Sequence, residues 1–236
     1  MVSDDYYLVA GMEFIISEKK IFDRRNNNEE IDITSSEGKK KIFEREVKEW
    51  LFHPMEKLLV EDIEDFEGEY KYRPFRNSIF ILFGLFAYIE KMELYRGNGV
   101  PNDRRSTQRL VDGVKRIFEN LTNRNDDDIK NILKRSRHNL MHQAMIEDDI
   151  LVNLGLMQNE SGDVNLNNNL FGEAIDIVSE NGEQEFRINS IRMYDTITKD
   201  FDNYLTEIES EGELRNFFTT FFDNVYASEI EIIKFI

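Results

Sequence analysis

IFILFGLFAYI, at residues 79–89, is the most apolar run in the chain and the stretch that decides its fold. Wound as a helix, it carries apolar side chains on nearly every side, which is typical of a helix buried among other helices. A membrane-spanning helix needs roughly 20 apolar residues, so this run is too short to cross a bilayer. The sequence therefore predicts a long buried helix from about Pro74 to Tyr95, ended by Gly97.

Helical periodicity continues on both sides of this run. Apolar residues recur at helical spacing in four further stretches, at residues 36–51, 104–121, 126–146 and 191–225. In the first of these stretches Trp50 lies on the apolar face, and we expect it in the core. The acidic residues 126–128 suit the positive end of the helix that they begin. These patterns predict a mainly α-helical bundle.

A β-hairpin is the clearest non-helical feature of the sequence. Two alternating runs, at residues 174–178 and 184–188, flank Asn181-Gly182, a dipeptide favoured in tight hairpin turns. Residues 1–34 contain short apolar stretches with some strand character, followed by a polar Asn26-Asn27-Asn28 loop. We therefore expect an N-terminal extension at residues 1–34 and one helical domain at residues 35–236 with a hairpin insertion near residues 174–188.

Composition limits the classes of function. The chain has 236 residues, 40% of them hydrophobic, with 18 Phe, which favours a folded protein over a disordered one. It has no cysteine, so disulfides, thiolate metal sites and cysteine nucleophiles are excluded. Residues 1–5 lack the basic and apolar pattern of a secretion signal. We expect a cytoplasmic protein that needs no membrane, cofactor or metal.

The charge of the chain is distributed unevenly. The formal net charge is −17, which counts against a general nucleic-acid-coating role. Residues 104–137, here called the basic segment, nevertheless hold ten basic and five acidic residues. This local excess of positive charge is consistent with one phosphate site. Solvated helix faces would explain it equally well.

Two of the three histidines fall within residues 137–142, with the sequence Arg-His-Asn-Leu-Met-His, at the end of the basic segment. Imidazole changes its charge near neutral pH, and a neighbouring arginine can hold a phosphate, so this pair suits proton transfer on a phosphodiester. Helix geometry places Arg135, His138 and His142 opposite the apolar stripe of their own helix, and Arg137 on its flank.

This motif resembles that of the HEPN superfamily (higher eukaryotes and prokaryotes nucleotide-binding). These helical proteins carry an arginine, four to six residues, and a histidine, commonly with Asn, Asp or His directly after the arginine. Arg137 and His142 enclose four residues, beginning with His138, and Arg135 with His142 gives the six-residue version. The resemblance covers roughly residues 75–146. It implies metal-independent RNA cleavage at a site formed by two copies of the motif across a homodimer.

The resemblance also implies roles for the residues of the motif. His142 would take or orient the proton of a ribose 2′-hydroxyl, and Arg137 would neutralise the charge that develops on the phosphate. His138 is a further catalytic candidate, and Lys134, Arg135 and Asn139 are expected to bind RNA. A defence or toxin–antitoxin system, with an antitoxin or another partner, fits this class. Some toxin members carry a tyrosine, the site of adenylylation, where this chain has Ala144.

Two alternatives stay open. His138 and His142 have the spacing of a helical zinc site, with Glu147 or Asp148 as a third ligand, but Asn139 stands where the zincin pattern requires Glu. The second alternative is a non-catalytic binding or adaptor module, such as an antitoxin. The acidic C-terminal part of the chain could then serve as a docking face for a basic partner.

Overall fold

The computed structural model describes residues 7–8, 14–17, 20–23, 26–67, 77–97, 105–133, 150–153, 156–158, 164–166, 173–180 and 183–233. Most of the described residues are helical, so the predicted mainly α class with a small hairpin is confirmed. The helices are α1 (Ser36–Glu46), α2 (His53–Glu67), α3 (Ser78–Tyr95), α4 (Ser106–Ile117), α5 (Asp126–Leu133), α6 (Ser190–Ser210) and α7 (Gly212–Ile233). A π-helical stretch, Val47–Phe52, lies between α1 and α2.

Nine strands accompany the helices in the described part of the chain. They are β1 (Tyr7–Leu8), β2 (Phe14–Ser17), β3 (Lys20–Asp23), β4 (Glu29–Ile31), β5 (Ile150–Asn153), β6 (Leu156–Gln158), β7 (Val164–Leu166), β8 (Ile175–Glu180) and β9 (Glu183–Asn189). The described strands form a four-stranded antiparallel sheet β1-β2-β3-β4, a three-stranded sheet β5-β9-β8 and the antiparallel pair β6-β7. Strand content is thus greater than the predicted hairpin together with the strand character expected at residues 1–34.

The N-terminal segment has more regular structure than its sequence predicts. Its four strands pair in chain order, with Ile21 opposite Ile31 and both side chains buried. Asn27 and Asn28, within the predicted asparagine loop, have φ of 53° and 58°, a left-handed conformation that asparagine tolerates. Asp23 is fully buried, and its carboxylate accepts a hydrogen bond of 2.6 Å from Arg45 of α1.

The predicted hairpin is confirmed. Strand β8 pairs antiparallel with β9 from Ile175↔Ile188 to Glu180↔Glu183, while the Asn181-Gly182 turn lies outside the described residues. The sequence did not predict that β5 pairs parallel with the other edge of β9, with Ile150 opposite Phe186.

Contacts divide the chain into two compact units. One contains residues 1–51 and 205–236, and the other contains residues 52–204. The boundary that we predicted after residue 34 differs from this division, because α1 falls in the same unit as the N-terminal strands. In that unit α1 packs on α7, where the rings of Phe43 and Phe218 lie 5.4 Å apart and Lys39 Nζ lies 2.7 Å from Asp223 Oδ1.

The core of the second unit is built around α3 and α4. The inward residues predicted for α4 are all buried: Leu110, Val111, Val114, Ile117 and Phe118. Gly113 permits the close approach of the two helices, since a Cβ there would lie 2.5 Å from Ile89 Cγ2 of α3.

Two sequence predictions about individual residues are wrong. The predicted 104–121 helix ends at Ile117. Phe118 adopts an extended conformation there, with φ −108° and ψ 100°, before a 3₁₀ turn, Glu119–Leu121. Trp50 is 45% exposed rather than buried in the core. The long apolar helix is described from Ser78, and its predicted start near Pro74 lies outside the described residues.

Candidate nucleic-acid interface

Helix α5 leads directly to the Arg/His motif, and its start is well defined. The Asn125 side chain accepts a hydrogen bond of 3.0 Å from the Asp127 amide, which satisfies a donor of the first turn. The Asp126 carboxylate accepts hydrogen bonds from Lys115 (2.5 Å) and Gln108 (3.2 Å) of α4. These two hydrogen bonds, the one from Lys115 first, hold the pKa of Asp126 below its ordinary value. They fasten the start of α5 to α4.

The inward face of α5 matches the sequence prediction as far as the helix is described. Ile129 and Leu133 are 1% and 2% exposed. The predicted site residues Lys134, Arg135, Arg137, His138, Asn139 and His142 follow Leu133 and lie outside the described residues. Their expected roles therefore stay predictions.

Six of the ten cations of the basic segment lie in the described part of the chain, and most of these have partners within the protein. Arg109 is 5% exposed, and its guanidinium lies 3.7 Å from the Glu90 carboxylate. Arg116 Nε donates a hydrogen bond of 2.8 Å to Glu93, and a second guanidinium nitrogen donates to Asp200. These two arginines are therefore structural ion-pair residues.

Arg124 and Lys130 of the segment have weaker interactions. Arg124 donates a hydrogen bond of 3.3 Å to the Ile177 carbonyl of β8. Lys130 Nζ lies 3.7 Å from the exposed Asp127 carboxylate, a surface pair of little energetic value. Lys115 binds Asp126 within the segment, whereas Arg109 and Arg116 bind carboxylates outside it, so two of its ten cations are neutralised by other parts of the chain.

A partly buried polar network joins three helices of the second unit, and sequence reasoning missed it. Arg116 of α4 binds Glu93 of α3, which is 1% exposed, and Asp200 of α6. Arg96 lies 3.9 Å from the same Asp200 carboxylate, and its guanidinium stacks 4.8 Å from the ring centroid of Tyr204. Burial disfavours the charge of Arg116, but its hydrogen bond to Asp200 and the nearby carboxylates outweigh this effect and raise its pKa. The sequence signal that could have revealed this network is Glu93, a lone glutamate on an otherwise apolar face of α3.

Tyr88 places a hydroxyl group beside this network. The side chain is 4% exposed, and its ring packs 5.4 Å from Phe52 and 6.1 Å from Phe201. Its hydroxyl has no hydrogen-bond partner among the described residues. Burial, followed by the charge of Asp200, raises the pKa of Tyr88 well above its ordinary value. The phenol therefore stays neutral at physiological pH.

The first unit contains an open groove of about 620 Å³. Its charged lining is mixed, with three cations and three carboxylates: Lys40, Lys41, Arg215, Glu37, Glu44 and Glu209. Lys40 and Glu209 form an ion pair across it, and the Arg215 guanidinium donates to the carbonyls of Ile208 and Glu209. This groove does not present the single sign of charge that phosphate recognition requires.

The zinc alternative stays open. No cluster of three or more potential metal ligands occurs among the described residues, but His138, His142, Glu147 and Asp148 are not among them. The described histidine, His53, begins α2, is half exposed and lies 3.6 Å from Glu56.

Comparison with known proteins gives no relative: no protein-family model, curated protein or solved structure significantly matches the chain. Among the described helices, none combines the length and apolar character needed to span a membrane.

Proposed function

We propose that this protein is a metal-independent endoribonuclease of the HEPN type, acting in a bacterial defence or toxin–antitoxin system as a homodimer. The proposal rests on the Arg/His motif at residues 137–142, which follows helix α5. The mainly helical fold agrees with the class that this motif resembles.

The observation that carries the proposal is the clustering of three cations and two histidines within residues 134–142. Arg109, Lys115 and Arg116 have carboxylate partners in the described structure, so binding RNA would require breaking these ion pairs. Lys134, Arg135 and Arg137 are the remaining cations next to the two histidines of the motif. Because these three cations adjoin the two histidines in the chain, a phosphate that they bind would have an imidazole nearby. Transfer of a proton to or from the phosphodiester requires such an imidazole.

The proposed reaction is an internal transesterification. His142 removes the proton of a ribose 2′-hydroxyl, and the 2′-oxygen attacks the adjacent phosphorus while the bond to the 5′-oxygen breaks. The leaving 5′-oxygen takes up a proton, which leaves a 2′,3′-cyclic phosphate and a 5′-hydroxyl. Arg137 stabilises the charge on the phosphoryl oxygens, and His138 or Asn139 orients the reacting groups by hydrogen bonds. No step needs a metal ion.

The experiment is an RNA cleavage assay in excess EDTA with mass analysis of the product ends. We expect the wild type to produce 2′,3′-cyclic phosphate ends and His142→Ala to lose at least a hundredfold in rate, the scale of general acid–base catalysis. His53→Ala is the matched control, since it removes an exposed histidine outside the motif and should cleave at the wild-type rate. Activity that disappears with EDTA and returns with zinc would support the metal site instead.

Thermal melting separates catalysis from folding. Leu140 lies on the predicted apolar stripe of the motif helix, so Leu140→Ala should cost about 2–5 kcal/mol of stability, as for a buried leucine. His142→Ala should melt within about 0.5 kcal/mol of wild type, as for a surface substitution. If His142→Ala cleaves RNA as fast as wild type, the nuclease proposal fails.

A non-catalytic binding or adaptor module is the second candidate. The internal pairing of Arg109, Lys115 and Arg116 favours it, because three of the ten cations of the basic segment already bind carboxylates of the protein. A protein that cleaves no RNA, and whose biological effect is unchanged by His142→Ala, would belong to this class.

A further inference from the structure

Strand β8 forms one edge of the three-stranded sheet β5-β9-β8 in the described part of the chain. Along a strand, successive residues direct their backbone N–H and C=O groups to opposite sides. The Asn189 amide donates a hydrogen bond of 2.9 Å to the Ala174 carbonyl, so the backbone groups of residue 174 face β9. Those of residues 175, 177 and 179 therefore point away from β9, to the outer side of the edge. Such a row of backbone groups is a template for pairing with a strand of another molecule.

Three groups on this outer side are already hydrogen-bonded within the chain. The Asn120 side chain donates a hydrogen bond of 2.8 Å to the Ile175 carbonyl, and the Arg124 guanidinium donates one of 3.3 Å to the Ile177 carbonyl. The Ile177 amide donates a hydrogen bond of 2.8 Å to the Asp176 carboxylate. The three side chains, here called the edge caps, thus occupy groups that an approaching strand would need for its own hydrogen bonds.

The end of α4 positions two of the edge caps. The extended conformation of Phe118 interrupts the helix, and the 3₁₀ turn Glu119–Leu121 follows it. Phe118 and Leu121 are 3% and 1% exposed, so apolar packing holds the turn in place. The Arg124 amide donates a hydrogen bond of 3.0 Å to the Leu121 carbonyl, which fixes the chain after the turn. The helix break, which apolar periodicity did not predict, therefore brings Asn120 and Arg124 to the edge of β8.

The sequence of β8 favours strand pairing. Three of the four residues 175–178 are β-branched, and Ile175 and Ile177 are 1% and 4% exposed. β-Branched residues are typical of strands, and an uncovered edge of this kind is a site of aggregation. An antiparallel copy of the same strand would offer an N–H or C=O group to each outward group of β8. The edge is therefore complementary to itself unless side chains cover it.

We propose that the outer edge of β8 is a strand-pairing surface that the edge caps, Asn120, Arg124 and Asp176, keep closed. The partner that fits this surface when the caps are removed is an extended strand with the sequence of β8. The proposal gives Arg124 of the basic segment a role at the sheet edge, in contrast to Arg109 and Arg116, which bind carboxylates. It does not depend on RNA cleavage.

Light scattering after size exclusion tests the closing role. Asn120→Ala/Arg124→Ala should form species larger than those of the wild type, in a fraction that rises with protein concentration, while its helical circular dichroism stays unchanged. Asn203→Ala/Lys130→Ala is the matched control, because it removes one amide and one cation at positions away from β8, and it should keep the wild-type mass. A double variant that does not associate, or that associates only with loss of helix, would overturn the proposal.

A proline tests where the association occurs. The amide of residue 179 points to the outer side, so Ser179→Pro blocks an incoming strand without removing a hydrogen bond between β8 and β9. Adding it to Asn120→Ala/Arg124→Ala should restore the wild-type mass, and association that persists would reject the β8 edge.

A labelled peptide of residues 174–180 measures the same surface directly. By fluorescence anisotropy it should bind the double variant at least about tenfold more tightly than the wild type, because two side-chain hydrogen bonds no longer compete with it. Equal affinities would refute the closing role of the edge caps.

Discussion

Replacing Arg116 by methionine should lower the free energy of unfolding by about 3 kcal/mol. Removal of one partner from a buried ion pair typically costs about 3–5 kcal/mol, because the other charge stays buried. Glu93 is 1% exposed and Asp200 is 13% exposed at the side chain, and both carboxylates interact with Arg116. Methionine retains most of the apolar part of the arginine side chain, so the loss in the free energy of unfolding reports mainly the contribution of the guanidinium group.

The lower end of this range follows from the surroundings of the network. The Arg116 side chain is itself 27% exposed, so water partly compensates its charge. Arg96, which lies 3.9 Å from Asp200, also remains in the variant and offsets part of the uncompensated charge. Glu93 is the more deeply buried carboxylate and should account for most of the loss. Adding Glu93→Gln to Arg116→Met should therefore recover part of the stability.

The assay is urea unfolding followed by circular dichroism, combined with RNA binding of the folded variants. Arg116→Met should be less stable than wild type but should bind RNA with unchanged affinity, whereas Arg135→Ala should behave in the opposite way. A stability within about 0.5 kcal/mol of wild type would refute the structural role of Arg116. Loss of RNA affinity without loss of stability would instead place Arg116 in the RNA interface.

Three further measurements test local features of the fold. Gly113→Ala should destabilise the protein by about 1–3 kcal/mol in urea unfolding, because the new Cβ would lie 2.5 Å from Ile89. This clash outweighs the gain in helix propensity of roughly 1 kcal/mol, and the control Gly212→Ala, whose Cβ would have no atom within 4 Å, should not be destabilising. Tyr88→Phe should leave the melting temperature unchanged or raise it, since it removes a buried hydroxyl that has no hydrogen-bond partner among the described residues. A loss of more than about 1 kcal/mol in the free energy of unfolding would show that this hydroxyl is hydrogen-bonded. Burial raises the pKa of Tyr194 to about 12, so an absorbance titration should lose one late-ionising tyrosine in Tyr194→Phe. Because the folded state holds this proton more tightly, its contribution to stability should be complete below pH about 10 and should decline as the pH rises towards 12.

Local periodicity predicted the parts of the fold that local forces determine. The apolar face of α4 is buried at the predicted positions Leu110, Val111 and Val114, because a 3.6-residue repeat places them on one side of the helix. The hairpin β8-β9 was predicted because its strands are neighbours in sequence and Asn-Gly favours the turn between them. Both features depend on residues close together in the chain.

Features that depend on distant residues escaped prediction. Strand β5 pairs parallel with β9, more than thirty positions further along the chain, and no local pattern specifies this partner. Trp50 has apolar neighbours at helical spacing, but it lies in a π-helical stretch, where a changed residue rotation alters which side chains face the core. The four-stranded N-terminal sheet was underestimated because its strands are only two to four residues long.

The basic segment shows why a charge count along the sequence does not locate a phosphate site. The count treats Arg109, Lys115 and Arg116 as equivalent to the cations of the Arg/His motif. The structure gives each of these three a carboxylate partner from a residue that lies outside the segment or at the start of α5. Such partners compete with RNA for the same guanidinium or ammonium group. The pairs of Arg109 and Arg116 lie largely inside the protein and are costly to break, whereas the partly exposed Lys115–Asp126 pair contributes little. Substitutions at Arg109 and Arg116 should therefore act through stability, and a direct effect on RNA should come from Lys134, Arg135 and Arg137.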